Sequence, residues 1–305
     1  MFDSITKSVL DTIEDSNVNN SLIKQVGTPR YFASVVNTNE IYTAITTDGV
    51  GSKVDHLIKN QIFDVIGIDC FAMNINDLIC VGANPISFQD HITTTKDKAE
   101  YIPEVLSGIM DSCKKHFVLL TGGETEVLKE TKFHISGSAV GTLHPDNLID
   151  GSKVEPGDIL IGLESNGVHS NGWTVLEERN PELITKENLL PTRIYTPDII
   201  PLMTRIKPSA IINITGGGFR NLERIPRNFG YDIEHQPDQE VFKKLKSNFT
   251  TRELYSSFNM GVGMIVIVRP GDVEVALETL RSNPKIIGQV IKKDVSTVQI
   301  NGEKI

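Results

Sequence analysis

The chain has few cysteines, few aromatic side chains and no excess of basic residues. Its three cysteines, Cys70, Cys80 and Cys113, are widely spaced in apolar surroundings, which indicates reduced core residues and argues against a disulfide framework or a zinc site. One tryptophan and 6% aromatic residues supply no stacking platform for single-stranded nucleic acid. With 39 acidic against 30 basic residues, the net charge of −9 argues against nucleic acid or an anionic membrane as a partner.

Long apolar runs are also missing from the sequence. No segment is apolar over the length needed to span a bilayer, and the acidic N-terminal stretch does not have the apolar centre of a signal peptide. These features lead us to expect a cytoplasmic protein with no membrane partner and no nucleic-acid partner.

Strand-like and helix-like stretches alternate along the 305 residues, which predicts a mixed α/β protein of two domains. The first helical pattern covers Ser4–Asp15. Turn formers gather in HPDNLIDGSKVEPGD, residues 144–158, and interrupt the periodicity. We therefore expect an N-terminal domain at 1–147 and a C-terminal domain at 148–305.

A polar loop with two glycines follows the first strand-like run. Ile41–Thr47 has the pattern of a strand and Val54–Ile58 begins a helix, so Asp48–Lys53 is expected to connect them. Glycine N–H groups and the positive end of a helix favour an anion, the lysine can neutralise phosphate, and the aspartate indicates an intervening cation. The spacing is not that of a Walker A loop. On local pattern alone, a tight turn explains the segment equally well.

A second acidic motif lies in GIDCFAMNINDLICVGA, residues 67–83. Apolar residues surround this segment almost completely, which predicts a buried core helix. Asp69 and Asn76 lie about 20° apart on one stripe, and Asp77 lies roughly 80° from Asp69, at ~100° per residue. Buried carboxylates are costly unless they are paired or hold a cation. Magnesium binding is therefore favoured over simple hydrogen bonding to the backbone.

Three further segments end apolar strands with glycines or small polar residues. LLTGGET carries Glu124 at an expected strand end, where it could join the metal cluster, although a β-turn alone explains it. His169 of SNGVHSNG could orient a phosphate, donate to a developing anion or exchange protons near neutral pH. An N-cap at Ser170 or Asn171 explains that cluster except for the histidine. Thr215–Gly218 opens a helix and favours a sugar phosphate, with a flexible joint as the alternative.

Together these motifs resemble the phosphoribosylformylglycinamidine cyclo-ligases, also called aminoimidazole ribonucleotide (AIR) synthetases or the PurM family. The resemblance runs from about Ser16 to Ile291. It comprises, in order, TTDGVGSK, IGIDCFAMNINDLICVGANPISFQDHI, TGGET, IDGSKVEPGDILIGLESNGVHSNG, PTRIY, ITGGGFRNLERIPR and SFNMGVGM. The Asp48 loop alone fits a wider superfamily that includes thiamine-monophosphate kinase. The HSNG, PTRIY, TGGGF…IPR and FNMGVGM set is specific to the cyclo-ligases.

The resemblance implies a two-domain PurM-like ATP-binding fold. In such proteins the N-terminal domains of a homodimer share a β-barrel, and the C-terminal domain is α/β. The implied reaction is the ATP-dependent ring closure of formylglycinamidine ribonucleotide to 5-aminoimidazole ribonucleotide in purine biosynthesis. It passes through a phosphorylated amide and releases ADP and phosphate. Mg²⁺, usually with K⁺, is implied as a cofactor.

The resemblance also implies the site residues. Those implied for catalysis are His169, near the substrate amide, Lys24 and Asp48. Those implied at ATP are Gly49, Gly51, Lys53 and Asp90. Those implied at magnesium are Asp48 and Asp77, with Asp69 and Glu124 as further contributors. Those implied at the substrate are Ser170, Asn171, Asn213, Thr215, Gly216, Gly217 and Gly218.

Three departures from the family pattern accompany the resemblance. Only Gly27 remains of the usual glycine-rich segment after Lys24, so the lid over ATP is expected to be shortened or absent. Asn213 stands where a histidine is usual, and asparagine can hydrogen-bond but cannot titrate near pH 7. The loop after Glu124 reads EVLKETKF in place of a Met-Pro-Gly continuation.

These departures keep two other functions open. One is a catalytically weak paralogue that binds nucleotide or purine intermediates and acts as an assembly or regulatory partner. The other is a different ATP-dependent phosphotransferase of the same superfamily, which the substrate-side motifs disfavour.

Overall fold

A computed structural model of the chain describes residues 24–28, 30–38 and 40–305. The predicted helix Ser4–Asp15 lies outside the described residues. Two sheets organise the described part of the chain, one before and one after the turn-rich segment 144–158. Among the described residues, no helix combines the length and the apolar composition that crossing a membrane requires.

The first sheet has six strands in the order β1-β2-β3-β6-β4-β5. Its strands are β1 Lys24–Val26, β2 Ser34–Asn37, β3 Tyr42–Gly49, β4 Asn84–Thr95, β5 Leu119–Leu128 and β6 His134–Leu143. Neighbouring strands are antiparallel except β4 and β5, which are parallel. The accompanying helices are α1 Lys53–Lys59, α2 Asp64–Cys80 and α3 Ile102–Lys115. Within one chain the sheet is open, with β1 and β5 at its edges.

Helix α2 is the predicted core helix, and its burial confirms that prediction. Apart from Asp64, Ile68 and Asp77, all its residues are buried. It lies directly against α3 because both helices carry a glycine at the contact. A Cβ on Gly67 would lie 2.0 Å from the carbonyl oxygen of Val105, and one on Gly108 would meet the Asp64 carbonyl at 2.1 Å. Any larger residue at either glycine would force the helices apart.

The second sheet has seven strands in the order β13-β12-β9-β11-β7-β10-β8. Its strands are β7 Ile159–Glu164, β8 Ala210–Asn213, β9 Phe229–Ile233, β10 Val262–Val268, β11 Lys285–Lys292, β12 Thr297–Ile300 and β13 Glu303–Lys304. The helices of this half are α4 Trp173–Arg179, α5 Thr196–Arg205, α6 Glu240–Leu245, α7 Thr251–Ser257 and α8 Val273–Thr279. The mixed α/β class with two sheet-based halves is therefore confirmed.

The two halves meet along α2. This helix contacts β3, β4 and β6 of the first sheet, and also β8 and α5 of the second half. A second link is the Tyr31 hydroxyl, which donates to the Ile211 carbonyl at 2.8 Å and accepts from the Ile211 N–H at 3.2 Å. Residues of α2 can therefore take part in a site built from both halves.

The strand predictions hold for the long apolar runs and fail at one functional motif. Ile159–Leu163 and Met264–Val268 fall within observed strands, and Ile41–Thr47 does so except for Ile41, since β3 begins at Tyr42. The TGGET glycines, in contrast, do not end their strand. A bulge opposite Phe88–Gln89 absorbs the extra residue, and pairing with β4 continues to Leu128. Glu124 therefore lies in the middle of β5 and not at a strand end.

Candidate functional site

Two carboxylates from separate elements meet where the halves join. Asp48 lies near the end of β3, and its backbone N–H donates to Asn74 Oδ1 of α2 at 2.9 Å. Asp77 lies on α2, and its Oδ1 accepts from Asn213 Nδ2 at 2.8 Å. Asn213 is the last residue of β8, so this hydrogen bond crosses from one half to the other. That Asp48 and Asp77 hold magnesium stays a prediction.

The protein surroundings disfavour the charged forms of both carboxylates. Burial raises the pKa of Asp77 to about 7; the Asn213 hydrogen bond opposes the shift, nearby Asp48 adds to it, and Arg224 opposes it. Asp77 keeps some solvent access although protein surrounds its carboxylate on nearly all sides. Burial also raises the pKa of Asp48, whereas the hydrogen bond from the Gly49 N–H and the positive charge of Arg224 lower it. Such a pair is suited to a cation.

Arg224 is the residue of this centre to which the sequence analysis gave no role. Its Nη1 donates to the Tyr31 carbonyl at 2.9 Å, and its guanidinium lies 4.7 Å from the centre of the Phe32 ring. The arginine belongs to the ITGGGFRNLERIPR motif, whose position just after the glycine loop was the available signal. It adds a positive charge near Asp48 and Asp77.

The protein supplies only some of the ligands that the implied magnesium ion needs at this centre. In the described part of the chain, no three His, Cys, Asp or Glu side chains are grouped closely enough to hold a metal. Mg²⁺ is commonly bound by one or two carboxylates, with water and phosphate oxygens completing its shell. Asp48 and Asp77 could supply the carboxylates, provided that a phosphate ligand supplies the rest.

Asp90 shares a row of the sheet with Asp48, whereas Glu124 does not share their face. Gly137 is opposite both Asp48 and Asp90, and Asp90 is opposite Gly123. Two strand spacings separate the two aspartates by about 10 Å. A Cβ on Gly123 would point at Asp90 Oδ1, 2.5 Å away. Because successive side chains alternate between faces, Glu124 points to the opposite side, where it lines an open cavity of about 440 Å³.

Lys53 and Asp69 are buried and paired with each other. Lys53 is the first residue of α1, and its Nζ lies 2.7 Å from Asp69 Oδ2, with both side chains 0% exposed. Lys53 Nζ also donates to the Leu190 carbonyl at 2.6 Å, and Asp69 Oδ1 accepts from the Thr192 N–H at 2.6 Å. A fully buried ammonium paired in this way does not reach an ATP phosphate. Its carboxylate partner is likewise occupied and does not face the Asp48–Asp77 centre.

The connection between β3 and α1 is shorter than the sequence indicated. Asp48 and Gly49 belong to the strand and Lys53 to the helix, so the loop itself is Val50–Ser52. Gly51 has a φ of +74°, is exposed, and would meet no atom within 4 Å if it carried a Cβ. That open backbone is compatible with close approach of a ligand.

His169 is buried and held by backbone donors. Its Nε2 accepts from the N–H of Asn166 at 3.0 Å and from that of Arg193 at 3.4 Å. Its proton is therefore on Nδ1, which forms no hydrogen bond within the described residues. Burial, then Lys53 and Arg193, lower the pKa of His169 to about 3. This shift favours a neutral ring at neutral pH, whose Nδ1–H can donate a hydrogen bond.

The backbone of His169 is also strained. Its φ of +63° lies in the left-handed region, which non-glycine residues enter rarely. The Trp173 indole nitrogen donates to its carbonyl at 2.7 Å, which helps to hold this conformation. Such strain is found most often at functional sites.

The predicted substrate residues divide into exposed and buried groups. Thr215 is partly exposed, and Gly216 and Gly217 are exposed. A Cβ on Gly216 would lie 3.3 Å from Asn171 Oδ1, so Asn171 borders this loop. Gly218 is buried, and a Cβ there would lie 2.1 Å from the Tyr255 carbonyl, which makes it a packing glycine.

Three other predicted residues have placements that restrict their roles. Ser170 is buried and its Oγ lies 2.9 Å from Thr192 Oγ1. Asn213 is buried and bonded to Asp77. Lys24 is exposed on β1, in a row with Asn37 and Tyr42. Tyr42 precedes Asp48 by six residues along β3, so Lys24 lies about 20 Å from that aspartate within one chain.

Family models cover both halves of the chain. The N-terminal domain of AIR synthase related proteins matches residues 32–143, and the C-terminal domain of the same proteins matches residues 155–301. The segment between the two matches lies within the turn-rich stretch 144–158. The domain boundary at 147/148 itself stays a prediction.

Curated relatives match over most of their length. A phosphoribosylformylglycinamidine cyclo-ligase of Pyrococcus horikoshii is 35% identical over 289 residues, covering 89% of this chain and 86% of the relative. The enzyme of Caldicellulosiruptor saccharolyticus is 35% identical over 328 residues, covering 97% and 94%. That of Streptococcus thermophilus is 38% identical, covering 83% and 82%.

Solved structures share the fold at lower sequence identity. A HypE–HypF complex is matched with a TM-score of 0.70 at 19% identity, over 97% of each chain. The hydrogenase maturation protein HypE in complex with ATP is matched with a TM-score of 0.65 at 16% identity, over 86% of this chain and 83% of that one. These likenesses show the fold alone. The curated relatives and both domain models show that this chain belongs to the phosphoribosylformylglycinamidine cyclo-ligase family, the AIR synthases.

Proposed function

We propose that the protein closes the imidazole ring of 5-aminoimidazole ribonucleotide from formylglycinamidine ribonucleotide, using ATP. The observation that carries this proposal is the hydrogen bond between Asn213 and Asp77. It brings the acidic centre of the first half next to the start of the Thr215–Gly217 loop of the second half. Family membership supplies the substrate, since the relatives are named for this reaction.

In the proposed reaction, the γ-phosphoryl group of ATP is transferred to the formyl oxygen and ADP leaves. An internal nitrogen of the substrate then attacks the activated carbon, and phosphate leaves as the ring closes and a proton is released. Mg²⁺, held by Asp48 and Asp77 together with ATP, would neutralise phosphate charge. Asp90, about 10 Å from Asp48, borders that region.

The chain's own residues bind and orient the reactants. The exposed backbone around Gly51 lies where ATP phosphates would approach, beside Asp48. The exposed Thr215–Gly217 backbone with Asn171 is suited to the ribose phosphate. His169 Nδ1 is the donor that would stabilise the negative charge on the activated amide. Catalysis of this kind depends on positioning and charge stabilisation more than on proton exchange.

The ATP assignment has support from the fold. A solved structure of HypE with the same fold is a complex with ATP. K⁺ and a cytoplasmic location belong to the same proposal. A catalytically weak paralogue is not favoured, because the curated relatives are named as enzymes over most of this chain.

The direct test is product formation by the purified protein. With formylglycinamidine ribonucleotide, Mg²⁺ and ATP, we expect ADP and 5-aminoimidazole ribonucleotide in equal amounts, faster in K⁺ than in Na⁺ buffer and absent without Mg²⁺. Formation of neither product would contradict the proposal. ADP without the aminoimidazole would indicate a different phosphoryl acceptor.

We also propose a homodimer that uses the edge strand β5. All ten residues of β5 are exposed, among them Leu119 at 69% and Val127 at 54%. A long, exposed, apolar edge strand is normally covered in native proteins. A second copy of the chain can cover it and continue the open six-stranded sheet, as the implied shared β-barrel requires.

Charge on the edge strand should separate the subunits. Val127→Lys places a solvated cation on β5, so we expect a monomer by light scattering coupled to size exclusion. Ile286→Lys is the matched control, because Ile286 is also 54% exposed but lies on β11 of the second sheet. A dimer in both variants would contradict the use of β5.

A further inference from the structure

The buried Lys53–Asp69 pair has no part in the proposed chemistry, and it needs an explanation. Its two charges lie 2.7 Å apart with both side chains 0% exposed. Burial lowers the pKa of Lys53, and only the contact with Asp69 opposes that shift. Burying an ion pair is often no more stabilising than placing apolar residues of similar size there. Stability alone is therefore a weak reason for this pair.

The pair bonds to one short segment of the second half, residues 190–195. Lys53 Nζ donates to the Leu190 carbonyl at 2.6 Å, and Asp69 Oδ1 accepts from the Thr192 N–H at 2.6 Å. Asn76, about two turns further along the same stripe of α2, continues the same pattern. Its Nδ2 donates to the Arg193 carbonyl at 2.8 Å and its Oδ1 accepts from the Tyr195 N–H at 3.0 Å.

Segment 190–195 in turn contacts His169 and its neighbour Ser170. The Arg193 N–H donates to His169 Nε2 at 3.4 Å. Arg193 lies between Thr192 and Tyr195, whose N–H groups both donate to side chains of α2. Thr192 Oγ1 lies 2.9 Å from Ser170 Oγ. The position of segment 190–195 therefore decides whether His169 Nε2 has its second backbone donor, which adds to the Asn166 N–H in orienting the ring and in keeping the proton on Nδ1.

We propose that Lys53 and Asp69 are positioning residues for His169. Through segment 190–195 they keep the imidazole in the tautomer whose Nδ1–H faces the reacting amide. This role rests on the proposed cyclisation and replaces the assignments of Lys53 to ATP phosphate and of Asp69 to magnesium. Segment 190–195 consists of the PTRIY motif and the leucine before it. The hydrogen bonds to Lys53, Asp69 and Asn76 therefore assign this family motif a role in positioning His169.

The pair can be removed without leaving a lone buried charge. In the double substitution Lys53→Met with Asp69→Leu, apolar groups of similar size replace both ions, so the chain should still fold. We expect kcat to fall by about 10- to 100-fold through misplacement of His169, while the KM for ATP changes by less than about threefold. Asp55→Asn is the control. It breaks the exposed Lys132–Asp55 pair, also 2.7 Å long, and should leave kcat unchanged.

A double-mutant cycle separates positioning from general stability. If the pair acts through His169, the same double substitution in a His169→Ala background should lower kcat by less than about threefold. An equal loss of kcat in both backgrounds would overturn the proposal, as would unchanged kcat in the first.

Histidine ¹⁵N spectra test the proposal without any assay of turnover. The His169 signal, identified by its loss in His169→Ala, should show the Nδ1–H tautomer in the native protein and a shifted mixture in the Lys53→Met, Asp69→Leu protein. An unchanged spectrum would contradict the positioning role. Failure of the cyclisation itself would instead show as an inactive wild-type protein with normal spectra.

Discussion

Asp77→Asn should lose nearly all turnover and yet gain stability at pH 8. Asp77 is one of the two carboxylates proposed to hold magnesium with ATP, so its neutral replacement should lower kcat by roughly 10²–10³-fold, the range seen when one stabilising group is removed from an active site. Asparagine can still accept the Asn213 hydrogen bond, which is 2.8 Å long in the native protein. The fold should therefore survive. The measurement is kcat at saturating ATP and Mg²⁺.

The gain in stability follows from the direction of the pKa shift. Burial raises the pKa of Asp77 from 3.8 to about 7, so the native state binds this proton more tightly than the unfolded state. The wild-type protein therefore loses stability as the pH rises from about 4 through 7. A pKa difference of one corresponds to about 1.4 kcal/mol, and partial solvent access reduces the total. Without Mg²⁺, we expect Asp77→Asn to unfold at higher urea, by on the order of 2 kcal/mol at pH 8 and less at pH 5.

Asp198→Asn is the matched comparison for this prediction. Asp198 is also buried, but its carboxylate accepts from the Arg281 N–H, the Ser282 N–H and the Ser282 hydroxyl. Removing that charge should destabilise the protein, because three donors lose their ionised acceptor. If Asp77→Asn were destabilised like Asp198→Asn at pH 8, Asp77 would be a structural acceptor and not a cation ligand.

The second large effect is expected for His169→Ala. Removal of the Nδ1–H donor should lower kcat by roughly 10²-fold, with the KM for ATP nearly unchanged, because the histidine is placed at the substrate amide. The pKa of His169 is lowered to about 3, so the ring is neutral throughout the working range. The ratio of wild-type to variant kcat should therefore be constant between about pH 6 and 9.

The pH dependence is what distinguishes a donor from a proton carrier. If the ratio of wild-type to variant kcat changed tenfold per pH unit, His169 would titrate during turnover. Stability gives an independent check. Because the native pKa lies below the unfolded value, the wild-type protein should lose stability as the pH falls from about 6.5 towards 3, and His169→Ala should lose less over that interval.

The sequence predicts the acidic centre because both aspartates sit in strong local patterns. Asp48 ends a β-branched run and Asp77 lies on a helix too apolar to be exposed, so each is placed by short-range periodicity. Lys53 is different. After two glycines it has the appearance of a phosphate ligand, and only the packing of α1 against α2 shows that Asp69 neutralises it. Long-range contacts of that kind leave no periodic signal.

The difference between the expected and the observed place of Glu124 has a related cause. Its two preceding glycines are typical of a strand end, but one bulge allows β5 to continue for several residues. For Arg224 the sequence offers only its place in the ITGGGFRNLERIPR motif, and its proximity to the acidic centre becomes visible through its contacts with Tyr31 and Phe32. The strands that were not predicted, such as β1 and β13, are only three and two residues long.

Helix α2 also limits how reactants enter the site. Asp69, Asn76 and Asp77 each bond across to the second half from inside the protein. A hinge that parted the halves would strip all of these groups of their partners at once, at a cost comparable to the stability of a whole domain. We therefore expect substrate and product to enter and leave without separation of the two halves, beside the exposed backbone of Gly51, Gly216 and Gly217.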